Sequence, residues 1–460
     1  MKLDLLRLEN FRCFTELELP LHKQMTVIVA ENGQGKSTLL DAIRIALWPY
    51  ISSFDLARNA FNDPGNTVAI DDVRLQRLSN GDMARQLPAK VIMTGDFGSG
   101  AGRSWGRYRD SEAKSSKTKD EGETASMRQW TASIQERIRN PESPALDLPV
   151  FGYYGTGRLW AQKRLMENLK GKDDTQETDF YIRTFAYLNC LDPASSYKHF
   201  KEWFIWAFQS LREQQIRQLE GRAQTTDLKT AEERVQVVQQ AIDTFLYPIT
   251  GWHRLEYSIT REKSLVLTHE QLGTLDADQL SDGIRSVLAM IGDIAYRCIK
   301  LNPHLGVEAA KATKGVVLID EVDMHLHPRW QQAILTQLQE AFPKIQFVVT
   351  THSPQVLTTV PSECIRILRD NKVYSAPPGT EGAEPERMLK QVLGLNDVRP
   401  PTNKATQELR EYLTLVDRDQ WNSPRALELR QSLDARYQGQ EPALLDADLQ
   451  IENRKWELGE

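Results

Sequence analysis

A glycine-rich stretch at residues 25–40, MTVIVAENGQGKSTLL, carries the residue types that bind phosphate. Gly33 and Gly35 let backbone N–H groups close around an anion, and the N-terminus of the following helix adds its partial positive charge. Lys36 is spaced to reach the β and γ phosphates of a nucleotide, and the Ser37 hydroxyl is spaced to ligate Mg²⁺. The predicted phosphate site comprises Asn32, Gly33, Gly35, Lys36, Ser37 and Thr38.

The usual form of this pattern begins with glycine, whereas Ala30 stands at that position here. One added methyl group at the end of a strand is a small steric change. A glycine-rich turn formed by chance is the competing interpretation. The apolar run Val27–Val29 before the loop and the intact Gly-Lys-Ser-Thr run after it favour the phosphate site.

Two acids and a histidine follow two further apolar runs. The run Val316–Ile319 is typical of a buried parallel strand and ends directly in Asp320 and Glu321. The run IQFVVTT at residues 345–351 predicts the neighbouring strand, with His352 at its tip. Because the carboxyl ends of parallel strands meet at one edge of a sheet, Asp320 is predicted to hold Mg²⁺, Glu321 to activate water and His352 to contact a γ-phosphate. A structural role for the histidine is the alternative.

The elements that position these groups can be predicted in chain order. Residues 2–20 alternate as two antiparallel strands, and short strands within residues 50–98 extend that sheet. Residues 98–125 are rich in Gly, Ser, Lys and Asp, which predicts an exposed mobile loop. Residues 179–247 predict helices with an aromatic core and a charged helical hairpin, and residues 255–267 predict a β-hairpin.

Two other segments carry groups suited to anions. The segment LSDGIRSVLAMIGDIAY at residues 280–296 predicts an amphipathic helix, and Ser281 at its start can bind an anion through its hydroxyl and neighbouring N–H groups. Taken alone, it is only a capped helix. The glycine turn at residues 153–158 ends in Arg158, which either faces a phosphate or pairs with a surface acid, and the residues favour neither.

Composition excludes several classes of protein. The 460 residues are 40% hydrophobic and 26% charged, as in folded globular proteins of two or three domains. No run approaches the ~20 apolar residues of a membrane-spanning helix, and the N-terminus lacks a signal-peptide layout, so we expect a cytoplasmic protein. The four cysteines lack metal-ligand spacing. The net charge of −6 gives no overall attraction to nucleic acid.

Together, the motifs AENGQGKST, LSDGIRS, VVLIDE and TTHSP resemble the Walker A, signature, Walker B and switch-histidine motifs of ABC-type ATPases of the Rad50, SMC and RecF branch. The opening LENFRCF is similar to the first strand pair of that branch. The resemblance implies an α/β fold with a two-lobed ABC-type ATPase head, a helical insert and a C-terminal helical extension. It also implies ATP and Mg²⁺ as cofactors and places Arg12 beside the nucleotide.

In this branch two heads pair head-to-tail. The resemblance implies that Ser281 and Gly283 of one head close on the γ-phosphate held by Lys36 of the other. The glutamine loop of the family is not evident, and the turn at residues 153–158 is the candidate for it. The predicted domains are lobe I at residues 1–160 with the mobile loop near 98–126, a helical insert at 161–250, lobe II at 251–380 and a helical partner-docking region at 381–460.

The sequence disfavours an ABC importer subunit, a long-armed Rad50 or SMC protein and an OLD-like nuclease. The segment between the two Walker motifs is far longer than a bare transporter head uses, yet it is too short for the long arms of Rad50 or SMC proteins. No acidic metal-binding domain of the TOPRIM kind follows the switch histidine, and the chain has no His-Asn-His nuclease pattern.

The C-terminal region predicts two amphipathic helices at residues 406–417 and 424–437, whose apolar stripes need a surface to cover, either on the head or on a partner. The stripes consist of Leu409, Leu413, Val416, Leu427, Leu433 and Tyr437. With YYGTGR and DEVDMHLHP, this arrangement resembles the ATPase subunit of the Septu antiphage system, PtuA, and retron-associated ATPases.

That resemblance implies an ATPase that is not itself a nuclease, forms homodimers or higher oligomers through its heads, and scaffolds and controls a PtuB-like HNH endonuclease. Nucleic acid would be reached through the complex, in the retron version with a reverse transcriptase and its DNA. The alternatives are a DNA-repair ATPase that binds DNA through its own head dimer, and an autonomous nuclease. The sequence opposes the nuclease because no further acids or histidines have metal-ligand spacing.

Overall fold

The computed structural model of the protein describes residues 1–57, 64–100, 102–113, 115–157, 181–193, 196–222, 224–261, 263–395 and 397–458. Within these ranges it has sixteen strands and thirteen helices. The strands are β1 (Lys2–Phe11), β2 (Phe14–Pro20), β3 (Met25–Val29), β4 (Leu75–Arg77), β5 (Met83–Arg85), β6 (Ala89–Asp96), β7 (Arg103–Arg109), β8 (Lys119–Gly122), β9 (Val150–Tyr154), β10 (Trp252–Ser258), β11 (Ser264–His269), β12 (Gly273–Asp276), β13 (Gly315–Ile319), β14 (Ile345–Thr351), β15 (Ile365–Arg369) and β16 (Lys372–Ser375).

The helices vary in length from four to twenty-six residues. They are α1 (Lys36–Ile51), α2 (Thr124–Arg139), α3 (Ser196–Leu219), α4 (Thr225–Thr250), α5 (Asp282–Leu301), α6 (Ala309–Ala312), α7 (Pro328–Gln331), α8 (Ile334–Ala341), α9 (Pro354–Leu357), α10 (Pro385–Gln391), α11 (Lys404–Asp417), α12 (Pro424–Tyr437) and α13 (Pro442–Leu458). The fold is α/β, as the sequence predicted. No helix in the described ranges combines the length and apolar character needed to cross a bilayer.

A six-stranded sheet, here called the central sheet, has the order β16-β15-β3-β14-β13-β9. Its strands are parallel except for β16, which pairs antiparallel with β15. Every residue of β3, β9, β13 and β14 is buried, which explains their continuous apolar sequences. The carboxyl ends of these four strands therefore meet at one edge.

A five-stranded antiparallel sheet, in the order β2-β1-β6-β7-β8, lies beside the first helix. The predicted strand pair at residues 2–20 is present as β1 and β2, which alternate buried and exposed side chains. Strand β6 supplies the predicted extension of this sheet.

The prediction of a mobile loop near residues 98–126 is wrong for much of that segment. Strands β7 and β8 extend this sheet, and α2 begins at Thr124. Trp105 on β7 is completely buried, and its indole N–H donates to the carbonyl of Ala46 at 2.9 Å. Arg109 is only 5% exposed. The composition misled the prediction because these large and polar side chains find partners inside the protein.

Arg109 shows how a polar segment stays ordered. Its guanidinium donates to the main-chain carbonyls of Ser111, Ala113 and Ser116 at 2.7–2.9 Å and so holds the turn that follows β7. A buried arginine with several donors satisfied stabilises a turn that has few apolar residues of its own.

The helical region is as predicted where the structure describes it. Helices α3 and α4 form the hairpin, and the aromatic side chains Phe185, Tyr187, Trp203, Phe204 and Phe208 are buried. Strands β10 and β11 form the predicted β-hairpin. Between β13 and β14, the helices α7 and α8 are separate, because Ala333 between them has a φ of −118°.

The chain divides into a head unit, Met1–Met388, and a C-terminal unit, Leu389–Glu460. In the C-terminal unit α11, α12 and α13 enclose a small core that includes Leu409, Val416 and Leu433. The apolar stripes predicted to need an external surface therefore cover each other. Leu427 differs, since it is 57% exposed and is not part of that core. The other predicted domain boundaries stay predictions.

Candidate nucleotide site

The phosphate loop joins β3 to α1 at the carboxyl edge of the central sheet. Gly33 and Gly35 have φ values of +81° and +96°, a region in which side chains are strained. A Cβ atom on Gly35 would also lie 2.9 Å from Cys13 Sγ, so this glycine is required for close packing as well. Ala30 does not have a positive φ, which explains why alanine is tolerated there.

Lys36 extends back over this loop. Its Nζ donates to the carbonyls of Ala30 at 3.0 Å and Glu31 at 3.2 Å, and the residue is 7% exposed. Burial lowers the pKa of Lys36, while the nearby acids Asp320 and Glu321 oppose that effect. A partly buried ammonium group held over a loop of N–H donors is suited to a phosphate. In the same segment Asn32 is exposed and Thr38 is half-buried in the first turn of α1.

Asp320 joins three elements. Its carboxylate accepts hydrogen bonds from the Ser37 hydroxyl at 2.7 Å and from the Thr350 hydroxyl at 2.6 Å. Its own N–H donates to the carbonyl of Tyr154 at 2.8 Å. The phosphate loop, β14 and β9 are thereby connected through one residue, and the residue is only 4% exposed.

These oxygens fit Mg²⁺. The Ser37 hydroxyl and the Asp320 carboxylate lie together, and Mg²⁺ in nucleotide sites uses one or two such ligands with phosphate oxygens and water. Among the described residues no group of three or more His, Cys, Asp and Glu side chains could hold a metal ion. The donor set is thus suited to an ion delivered with a nucleotide.

Glu321 has an unusual backbone. Its φ is +48°, and such a conformation costs about 1 to 3 kcal/mol at a residue other than glycine. The turn is held because the N–H of Glu321 donates to the Thr350 hydroxyl at 2.8 Å and the N–H of Val322 donates to the Thr350 carbonyl at 3.0 Å. The strained turn directly follows the buried strand β13, and the Glu321 carboxylate lies near Lys36 and His352.

His352 directly follows β14, one strand from the two acids, as predicted. Its Nε2 atom is buried and has no hydrogen-bond partner among the described residues. Burial and the nearby Lys36 ammonium lower the pKa of His352 below its ordinary value of 6.5. The imidazole is therefore neutral near pH 7, with one ring nitrogen available.

Arg12 lies in the turn between β1 and β2, next to the phosphate loop. Its guanidinium donates to Asp72 at 2.8 Å and to Asp41 on α1 at 2.6 Å, and it has a φ of +50°. Asp41 also accepts the Tyr153 hydroxyl at 3.0 Å. The structure thus places Arg12 near the loop but holds it on two carboxylates.

Ser281 and Gly283 lie at the N-terminus of α5. The Ser281 hydroxyl caps the helix by accepting from the N–H of Ile284 at 3.5 Å. A Cβ atom on Gly283 would lie 2.6 Å from the carbonyl oxygen of His325, so glycine is needed at this contact. In the described part of the chain no hydrogen bond joins this helix start to the phosphate loop.

Sequence reasoning missed Thr350 and the contact between Asp41 and Tyr153. Thr350 had a signal, because it precedes the switch histidine in the motif TTHSP on the strand beside Asp320. Asp41 and Tyr153 had no signal in spacing, since their contact joins α1 to β9 across the fold. The predicted turn at residues 153–158 is described up to residue 157, and Arg158 lies outside the described residues.

A phosphate loop, two acids and a histidine at one edge of a parallel sheet are typical of a nucleoside triphosphatase. A family model described as an AAA domain matches residues 5–246, more than half of the chain, and a second AAA-domain model matches residues 168–358. The protein belongs to the AAA domain family and is an ATPase, as predicted.

Comparison with similar proteins shows which kind of ATPase this is. A protein of Escherichia coli named "Retron Ec83 probable ATPase" is 29% identical over 98% of this chain and 87% of its own length. The "Septu protein PtuA" of Bacillus mycoides (strain KBAB4) is 36% identical over 30% of this chain and 19% of its own length. The chain is an ABC-type ATPase related to the retron and Septu proteins, which confirms the predicted relationship.

A solved structure of similar form is titled "Crystal structure of the SmcHead bound to the C-winged helix domain of ScpA". It is 15% identical, covers 82% of this chain and 98% of its own, and has a TM-score of 0.46.

The role of Thr350 gives a prediction. Thr350→Val keeps the side-chain shape but removes the hydroxyl shared by Asp320 and the N–H of Glu321. Leaving such groups unpaired costs about 1 to 3 kcal/mol, so kcat for ATP hydrolysis should fall roughly 5- to 150-fold. The rate of phosphate release at steady state measures this change in kcat.

Thr26→Val is the matched control. The Thr26 hydroxyl is equally buried in the same sheet but accepts from the N–H of His22, at the opposite end of β3. This variant should keep the wild-type kcat. Wild-type kcat in Thr350→Val would show that the hydroxyl does not hold the acids in their working positions.

Proposed function

We propose that the protein is an ATP-binding and ATP-hydrolysing regulatory and scaffolding subunit of an antiphage defence complex that controls a partner HNH endonuclease. The observation that carries the proposal is the joint contact of Asp320 with the phosphate-loop serine and with the strand that bears His352. Similarity to a retron ATPase along nearly the whole chain supports the defence role.

In this proposal the phosphate loop binds the nucleotide. Lys36 exchanges its two carbonyl partners for phosphate oxygens, and the loop N–H groups around Gly33 and Gly35 complete the cradle. Ser37 and Asp320 would hold Mg²⁺. When bound, the ion neutralises charge that develops on the phosphates.

Glu321 accepts a proton from the attacking water, and the neutral His352 donates a ring N–H to a γ-phosphate oxygen. The fixed turn at Glu321 suits this role because a general base must be held within hydrogen-bond reach of water. Arg12 is proposed to act on the nucleotide from the neighbouring turn, after partial release from Asp41.

ATP is proposed to join two heads. The N-terminus of α5, with Ser281 and Gly283, would contact the γ-phosphate bound by the other head. A helix start has free N–H groups and partial positive charge, so it binds a phosphate but leaves the heads unpaired without one. The pairing would give a homodimer or a larger assembly of heads.

The C-terminal unit is proposed to dock the nuclease. Leu445, Leu449 and Trp456 on α13 are 52%, 59% and 83% exposed, and their spacing places them on one helix face. Three large apolar side chains on one exposed face are typical of an interaction surface. In a retron version, a reverse transcriptase and its DNA would join the same complex.

A DNA-repair ATPase that binds DNA with its own heads is the weaker alternative. Phosphate binding needs free basic groups. The basic groups on β7 and β8 have partners in the protein: Arg103 donates to Glu123 at 2.6 Å and Lys119 to Asp110 at 2.7 Å. The net charge of −6 adds no attraction.

Glu321→Gln tests the catalytic assignment. The change keeps size and removes the base, so hydrolysis should fall roughly 100-fold or more while ATP binding is retained. The paired, ATP-bound heads should persist longer. Phosphate release and fluorescent-nucleotide titration are the measurements, and Glu340→Gln, an exposed glutamate on α8, is the control. Unchanged hydrolysis would remove Glu321 from the role of base.

The double variant Leu445→Glu and Leu449→Glu tests the docking surface. Co-expressed with a PtuB-like HNH endonuclease, this variant should lose the nuclease on affinity purification and keep its ATPase rate, because charge on the face opposes an apolar partner. Leu427→Glu, at an exposed leucine on α12, should retain the nuclease. Retention by both variants would contradict docking through α13.

A further inference from the structure

Two adjacent tyrosines at the end of β9 face opposite sides of the central sheet. The Tyr153 hydroxyl donates to Asp41 on α1, the helix that follows the phosphate loop. The Tyr154 hydroxyl donates to Asp293 on α5 at 2.7 Å. Both tyrosines are buried, at 4% and 1% exposure. One strand end therefore contacts the helices on both sides.

Tyr154 is also joined to the candidate metal ligand. Its main-chain carbonyl accepts the N–H of Asp320 at 2.8 Å, and in the parallel register Tyr154 lies opposite Ile319. The main chain of Tyr154 is thus hydrogen-bonded to Asp320, and its side chain is hydrogen-bonded to Asp293. A shift of either group acts on the same residue.

Asp293 belongs to a buried network that fixes α5. Its carboxylate also accepts from Arg297 Nε at 2.8 Å, and both residues are 1% exposed. Arg297 in turn donates to the main-chain carbonyls of Ala186 and Leu188. Buried polar groups are costly unless their partners stay in place, so this network allows few arrangements of the helix.

The Tyr154 hydroxyl acts as the donor in this network. Burial and then the Asp293 carboxylate raise the pKa of Tyr154, so the proton stays on the hydroxyl near neutral pH. Gly152 makes room for the ring, since a Cβ atom there would lie 2.9 Å from it. A phenylalanine ring would fill this space equally well, so the tyrosine hydroxyl is needed only for the hydrogen bond to Asp293.

We infer that Tyr154 is a positioning residue that couples Asp320 to the helix α5. Through it, nucleotide bound in one head sets how Ser281 and Gly283 at the start of α5 are presented to the other head. The effect on the second head depends on the proposed pairing of heads. The link from Asp320 through Tyr154 to α5 lies within one chain and does not depend on that pairing.

Tyr154→Phe tests the inference, because it deletes the hydroxyl and keeps both the ring and the main-chain bond to Asp320. Tyr296→Phe is a matched control. Tyr296 lies on α5, is 1% exposed, and its hydroxyl has no hydrogen-bond partner among the described residues. Thermal melting of both full-length variants reports any loss of folding.

Hydrogen exchange of α5 with and without Mg-ATP is the deciding readout, because it needs no head pairing. Mg-ATP should increase protection of α5 in the wild type and in Tyr296→Phe, and leave it unchanged in Tyr154→Phe at the same nucleotide occupancy. Equal protection in both variants, or no change in the wild type, would overturn the inference. If Tyr154→Phe melts too low to measure, exchange of all three proteins is repeated at a temperature below its melting point, where the same comparison applies.

Cooperativity separates this inference from the proposed function. If the heads pair, the Hill coefficient for ATP hydrolysis should exceed 1 in the wild type and fall to about 1 in Tyr154→Phe. A wild type that stays monomeric with Mg-ATP would refute the pairing, while the exchange result would still decide the link within the chain.

Discussion

Asp320 is held at the carboxyl edge of the central sheet by two hydroxyl groups from different elements, Ser37 on the phosphate loop and Thr350 on β14. This arrangement requires that β13 lie between β14 and β9, with both pairings parallel. Only then do the strand ends, the loop and the switch histidine meet at one place. The apolar strands thus serve the site by fixing where their polar ends emerge.

The same edge contains conformations and charges that are costly in isolation. Glu321 and Arg12 have positive φ values, and Lys36 is almost fully buried. Hydrogen bonds hold each of them: the Thr350 hydroxyl holds Glu321, two carboxylates hold Arg12, and two main-chain carbonyls hold Lys36. Strain that persists in a well-packed site is common where a group must be positioned before its ligand binds. The fold supports this with four strands that are buried along their whole length.

Local patterns allowed much of this to be predicted. The phosphate loop and the Asp-Glu pair follow from residue types next to apolar runs, because their chemistry depends on a few adjacent positions. The role of Thr350 depends on the register of β14 against β13, and its place before the switch histidine was the one signal for it. Tyr154 depends on a contact with a helix far along the chain, which no spacing indicates.

Composition was a poorer guide than periodicity. The polar composition of β7 did not predict a strand, because its arginines are hydrogen-bonded or ion-paired to carbonyls and acids inside the fold. In the C-terminal unit, amphipathic patterning predicted the helices, but it could not predict that their apolar faces would cover each other.

The central claim is that ATP joins two heads through the start of α5. Ser281→Asp tests it most directly, because aspartate caps a helix as well as serine does but places a negative charge against the γ-phosphate of the other head. Ser423→Asp, at the cap of α12, is the matched control. Mass measurement should show dimers with Mg-ATP for the wild type and the control, and monomers that still bind ATP for Ser281→Asp. A Ser281→Asp protein that dimerises with Mg-ATP as the wild type does would contradict the account.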